Sequence, residues 1–198
     1  KGSSFSVKYK GLCLNLFLSL VGEHYIQNAV TALKVLEVLD RNFSVNIKLD
    51  SIKKGFSSAL IPGRFQIVGG HPKLVLDGAH NASSALMLRN TVKEVFRDKK
   101  IVLVLGISSD KDIKKIGEVL CPVAESVIFT KSSSSRAAEP RALVNKLKAF
   151  CKQYYVCDSP EDAIVFAKNM VGRDGVVVAT GSFYLVADVM KNNGLWRA

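Results

Sequence analysis

The chain has 198 residues, 48% of them hydrophobic and 23% charged, and carries a formal net charge of +11. That is enough apolar material for one domain, or one domain and part of another, which excludes a disordered or fibrous chain and predicts a globular, soluble one. Its longest apolar runs, 101–105 and 176–179, are far too short to span a bilayer, and the amino terminus lacks a secretory layout, so no membrane partner and a cytoplasmic location are expected.

Leu12, Leu14, Leu16, Leu18 and Leu20 alternate with other residues, which is the period of a strand. The period changes at Gly22. Ile26, Ala29, Val30, Leu33 and Leu36 recur at three- and four-residue spacing and predict an amphipathic helix to residue 39. Asp50 or Ser51 can cap a shorter helix to residue 59. Ile61-Pro62-Gly63 then breaks the pattern and marks the expected boundary between residues 1–61 and 62–198. One strand and two helices cannot close a core, so the first part reads as the tail of something larger.

After the break, runs 65–68 and 74–77 joined by Gly69-Gly70-His71-Pro72-Lys73 predict a hairpin. A helix over 82–96 follows, with Asn81 as its cap. Strands are expected at 101–106, 126–130, 154–157 and 176–180, and helices at 113–120, 140–150, 160–170 and from 182 onward. Alternating strand and helix predict an α/β fold, a Rossmann-like and mostly parallel sheet with helices on both faces. Val102-Leu103-Val104-Leu105 and Val176-Val177-Val178-Ala179 suit strands buried on both sides.

Four cysteines without a Cys-x-x-Cys pair indicate neither a disulfide framework nor a zinc knuckle, and three dispersed histidines give no metal ligands. Lys93, Arg97, Lys114, Lys115, Lys146 and Lys148 fall on amphipathic helical patterns and read as solvated faces. No aromatic residues interleave with them, so a nucleic-acid partner is not expected.

In open α/β sheets, ligands bind outside the carboxyl ends of the strands, where helix amino termini favour anions. Four loops qualify: Asp77-Gly78-Ala79-His80-Asn81, the segment 106–112, the segment 130–139, and Thr180-Gly181-Ser182. Taken singly, Asp77 or Asn81 could cap a helix, and His80 could be an ordinary turn histidine. The chain has no phosphate-loop pattern, no Gly-x-Gly-x-x-Gly and no Gly-x-Ser-x-Gly, which argues against a free-standing nucleotide enzyme or a serine nucleophile.

Pro62-Gly63-Arg64 followed by Leu76-Asp77-Gly78-Ala79-His80-Asn81 resembles the Mur ligase superfamily. Within it, the resemblance is to folylpolyglutamate synthase, often bifunctional with dihydrofolate synthase. Gly106 with Asp110-Lys111-Asp112, Thr180-Gly181-Ser182-Phe183-Tyr184, and Gly22 with His24 and Asn28-Ala29 match further motifs of that family, in its order. Ala82 and Tyr25 stand where the family has Pro and Gln.

The resemblance implies that 1–61 ends a central ATPase domain and that 62–198 is the carboxy-terminal glutamate-ligase domain. It implies an ATP- and Mg2+-dependent ligase that joins L-glutamate to the γ-carboxyl of a folate through an acyl phosphate. By the same carry-over, Asn28 contacts the adenine end of ATP, Arg64 a phosphate and Asp77 the ribose. His80 is the catalytic candidate on the phosphate and glutamate side, and Lys111 and Ser182 bind the incoming glutamate. In the family, the phosphate loop, the magnesium ligands and a carbamylated lysine lie upstream of the position matching residue 1. The 198-residue chain alone is therefore expected to be inactive. A different Mur-type amino-acid ligase and a non-catalytic anion-binding module stay open as alternatives, as does dihydrofolate synthase activity.

Overall fold

The computed structural model describes residues 2–192 and Gly194. The chain divides into two compact units, Lys1–Pro62 and Gly63–Ala198.

In the first unit, β1 (Ser3–Tyr9) pairs antiparallel with β2 (Leu12–Leu18) across a turn at Lys10-Gly11, where both residues have positive φ. Strand β1 is not predicted by the sequence pattern. Phe5, Val7 and Tyr9 do alternate, but Ser4, Ser6 and Lys8 between them leave too weak an apolar signal. Helix α1 (Glu23–Phe43) runs past the expected end at residue 39, and α2 (Leu49–Ser57) follows. With a second strand present, the unit holds a small core of Tyr9, Leu14, Leu16, Leu33 and Ile52, which corrects the expectation that it could close none. Large apolar side chains stay exposed around that core, among them Leu12, Val35, Phe43 and Leu60.

In the second unit, β3 (Gln66–Val68) and β4 (Lys73–Leu76) form an antiparallel hairpin. Then come α3 (Ala82–Val95), β5 (Ile101–Leu105), α4 (Ile113–Leu120) and β6 (Ser126–Phe129). Helix α5 (Pro140–Leu147) precedes β7 (Tyr154–Val156), α6 (Pro160–Val171), β8 (Val176–Thr180) and α7 (Phe183–Asn192). The helix expected over 140–150 is shorter as an α-helix, because its last three residues tighten into a 3-10 turn.

The six strands lie in the order β3-β4-β8-β5-β6-β7, all parallel except β3. The chain steps outward through β5, β6 and β7, then returns through α6 to insert β8 between β4 and β5. Right-handed crossovers place the outward helices and the returning one on opposite faces. On the α6 and α7 face, Leu74, Leu76, Val102, Val104, Val177 and Ala179 pack against Ala163, Ile164, Ala167, Leu185 and Val189. The intervening strand residues Val75, Leu103 and Val178 are buried too and point to the other face. Burial on both faces accounts for the unbroken apolar strands. The insertion of β8 sets the carboxyl ends of β4, β8 and β5 side by side.

Candidate functional site

Where the chain leaves β4, the Asp77 carboxylate accepts two backbone hydrogen bonds. Oδ2 takes the Phe65 N–H at 2.8 Å and Oδ1 the Ala79 N–H at 2.9 Å. The Gly78 N–H donates to the Gly63 carbonyl at 2.8 Å, and the Gly63 N–H donates to Gln66 Oε1 at 3.0 Å. The loop that carries Arg64 is thereby stitched to the turn that carries His80. Phe65 has a φ of 43°, uncommon for a residue with a side chain, and its charge-assisted bond to Asp77 helps to hold it there. Burial pushes the Asp77 carboxyl above the ordinary carboxylate value, while the two amide bonds and the nearby Arg64 charge act against that rise.

Asp77 therefore ties two loops together and does not cap a helix. Asn81 is the cap of α3: its Oδ1 accepts the Ser84 N–H at 2.8 Å, and Ser84 Oγ accepts the Asn81 N–H at 3.2 Å. Ser84 Oγ also accepts the His80 N–H at 3.1 Å, so the cap holds the His80 backbone as well.

Phe183, at the start of α7, lies between two of the expected site residues. The Arg64 guanidinium carbon sits 4.4 Å from its ring centroid, and the His80 ring lies 5.6 Å away at an interplanar angle of 52°. Gly78 is needed here, since a Cβ at that position would come within 2.2 Å of the Phe183 ring. His80 Nδ1 is 2.9 Å from the Gly78 carbonyl. A carbonyl can only accept, so Nδ1 carries the proton and Nε2 is the acceptor of the neutral ring.

Ser182 is buried and serves as the amino-terminal cap of α7, its Oγ accepting the Leu185 N–H at 3.1 Å. Its own hydroxyl proton remains available to an acceptor. Lys111 stands on the loop after β5, its Nζ 2.8 Å from the Asp110 carboxylate. That contact is the main reason the Asp110 carboxyl is held below its ordinary value. The second unit thus gathers Arg64 and His80 around Phe183, with Asp77 tying together the loops that carry them, Ser182 next to Phe183 and Lys111 one strand end along. Asn28 belongs to the first unit, exposed on α1.

Two residues without an expected role join this edge. Phe183 itself is one; it stood inside the Thr180–Tyr184 motif, but its partners come from distant segments. Arg136, on the loop after β6, is the other. Its guanidinium donates to the Tyr184 hydroxyl and lies 5.3 Å from that ring, and its carbonyl accepts the Ser109 N–H at 2.8 Å. Among the described residues, no group of three His, Cys, Asp or Glu side chains could hold a metal ion, and no helix is long and apolar enough to cross a membrane.

The model of one protein family, the Mur ligase, glutamate ligase domain, matches residues 63–183. The chain belongs to the Mur ligase family. The matched segment of this Mur ligase chain contains Arg64, Asp77, His80, Lys111 and Ser182 and ends on Phe183. The dihydrofolate synthase/folylpolyglutamate synthase of Bacillus subtilis is 29% identical to it over 191 residues, 96% of this chain and 44% of that protein. The UDP-N-acetylmuramoyl-L-alanyl-D-glutamate--2,6-diaminopimelate ligase of Clostridium perfringens is 27% identical over 200 residues, 96% of this chain and 40% of that protein. The crystal structure of Mycobacterium tuberculosis folylpolyglutamate synthase complexed with ADP and AMPPCP superposes with a TM-score of 0.87 at 28% identity, over 98% of this chain and 45% of that one. The chain therefore spans less than half the length of these relatives.

Proposed function

We propose that this chain is part of an ATP-dependent carboxylate–amine ligase that adds L-glutamate to the γ-carboxyl of a folate. The observation that carries this reading is the convergence of Arg64 and His80 on Phe183, with Asp77 joining their two loops at adjoining strand ends, inside the segment matched to the glutamate ligase domain. In this reading the first unit ends a central ATPase domain and the second is the glutamate-ligase domain. The location is cytoplasmic, and neither nucleic acid nor membrane is a partner.

ATP supplies the phosphoryl group that turns the folate carboxylate into an acyl phosphate, which the glutamate amine then attacks. The task of this chain is to neutralise negative charge and hold the reactants in place. Arg64 offers a planar, five-donor guanidinium to a phosphate, a geometry that a lysine could not match. Asp77 keeps a free lone pair on each oxygen after its two backbone bonds, and these accept the ribose hydroxyls. His80 presents Nε2 on the phosphate and glutamate side. Lys111 and the Ser182 hydroxyl hold the glutamate carboxylates, and Asn28 contacts the adenine end. A divalent metal accompanies ATP in this reading, and among the described residues no group of three His, Cys, Asp or Glu side chains could hold it.

A second reading, a ligase that adds an amino acid to a cell-wall precursor, draws on the likeness to the Clostridium perfringens enzyme, while the likeness to the Bacillus subtilis and Mycobacterium tuberculosis proteins supports the first. The test is made on the full-length protein that contains this segment. Glutamate-dependent ADP release with tetrahydrofolate is expected, and activity only with a UDP-muramoyl peptide would establish the second reading instead. Arg64→Ala should lower the nucleotide-dependent rate about ten- to a hundredfold, the loss of one hydrogen bond to a charged group. An unchanged ATP dependence would remove Arg64 from the phosphate site.

A further inference from the structure

We infer that Phe183 is a positioning residue, whose ring holds the Arg64 guanidinium and the His80 imidazole in one orientation toward the anionic substrates. The inference rests on the function proposed above. Phe183 is 38% exposed, so it is no core residue. What it does cover is specific: Arg64 on one part of the ring, His80 on another, and the bare Cα of Gly78.

The ring has a rigid base. Ser182 caps the first turn of α7 through both Oγ and its carbonyl, and Leu185, Val186 and Val189 seat the helix in the core. A guanidinium held over an aromatic face satisfies none of its N–H groups there, so they stay free for a phosphate. An arginine already held this way loses less side-chain freedom when the phosphate arrives. His80 is restrained twice, by its Nδ1 bond to the Gly78 carbonyl and by the ring beside it. A leucine at 183 would fill much of the same space but offer no π face.

The test is a double-mutant cycle on Arg64 and Phe183 in the full-length protein, read as KM for ATP, kcat and melting temperature. Phe183→Leu should raise KM for ATP about two- to tenfold, the range of a cation–π contact, and Phe183→Tyr should restore it. In the Arg64→Ala background, Phe183→Leu should leave KM for ATP unchanged, because the ring acts on the nucleotide through Arg64. Equal effects of Phe183→Leu in both backgrounds would overturn the inference, as would a lowered melting temperature with unchanged KM. If Arg64→Ala alone leaves KM for ATP unaltered, the phosphate role of Arg64 fails first and takes this inference with it. On the 198-residue chain, Phe183→Leu should also abolish the ring-current shift of the Arg64 side-chain protons in NMR spectra.

Discussion

Asp77 serves the architecture directly, and in the proposed function the same carboxylate also meets the nucleotide. Both of its oxygens are engaged by backbone amides, and one of these fixes the loop that carries Arg64. In Asp77→Asn an NH2 group must face the N–H of Phe65 or Ala79, which leaves a buried donor unsatisfied at a cost of about 1–3 kcal/mol. Melting temperature and ATP affinity should therefore fall together. An Asn variant with full thermal stability would mean that the two backbone bonds count for little. The pH dependence has a definite sign. The folded-state pKa lies above the ordinary 3.8, so the contribution of Asp77 to stability is complete below that value and is lost as pH rises through the raised one. The melting-temperature advantage of the parent over Asp77→Asn should widen as pH falls toward 3.8. A narrowing gap would show that the amide bonds outweigh burial.

Helix α3 was legible in outline because its cap and its apolar period are both local. Asn81 followed by an apolar stripe is a start signal, and the structure adds the reciprocal bond from Ser84. Asn81→Ala should cost about 1 kcal/mol, or about 2–4 °C in melting temperature. Calorimetry would check this, and an unchanged transition would reduce the capping box to an ornament. By contrast, β1 has no local signal of its own, because three apolar residues among serines and a lysine make a strand only once β2 lies alongside. Helix α7 starts one residue later than its sequence signal, because Ser182 is spent as the cap.

At the scale of the molecule, the two units differ in how completely they bury their apolar surface. The second has a sheet covered on both faces, whereas the first leaves Leu12, Val35, Phe43 and Leu60 open to solvent. A chain starting at residue 61 should be at least as soluble as the 198-residue chain, since exposed apolar patches of that kind drive association. Size-exclusion chromatography of both chains decides it: aggregation of the shorter chain beside a monomeric longer one would refute the expectation.

The sequence by itself determined the alternation of strands and helices, the two-sided burial of the sheet and the polar loops at its carboxyl edge. Each of these is written in a period of two or of 3.6 residues, or in a turn motif, and so is readable within a short window. It did not determine that α6 carries the chain back to lay β8 between β4 and β5, because strand order depends on which faces pack, not on any local period. That insertion brings Phe183 from the last position of the matched segment to the side of Gly78. Only the tertiary structure decided that Asp77 holds the Phe65 amide and that one aromatic ring stands between Arg64 and His80, because such contacts join segments whose spacing along the chain carries no signal.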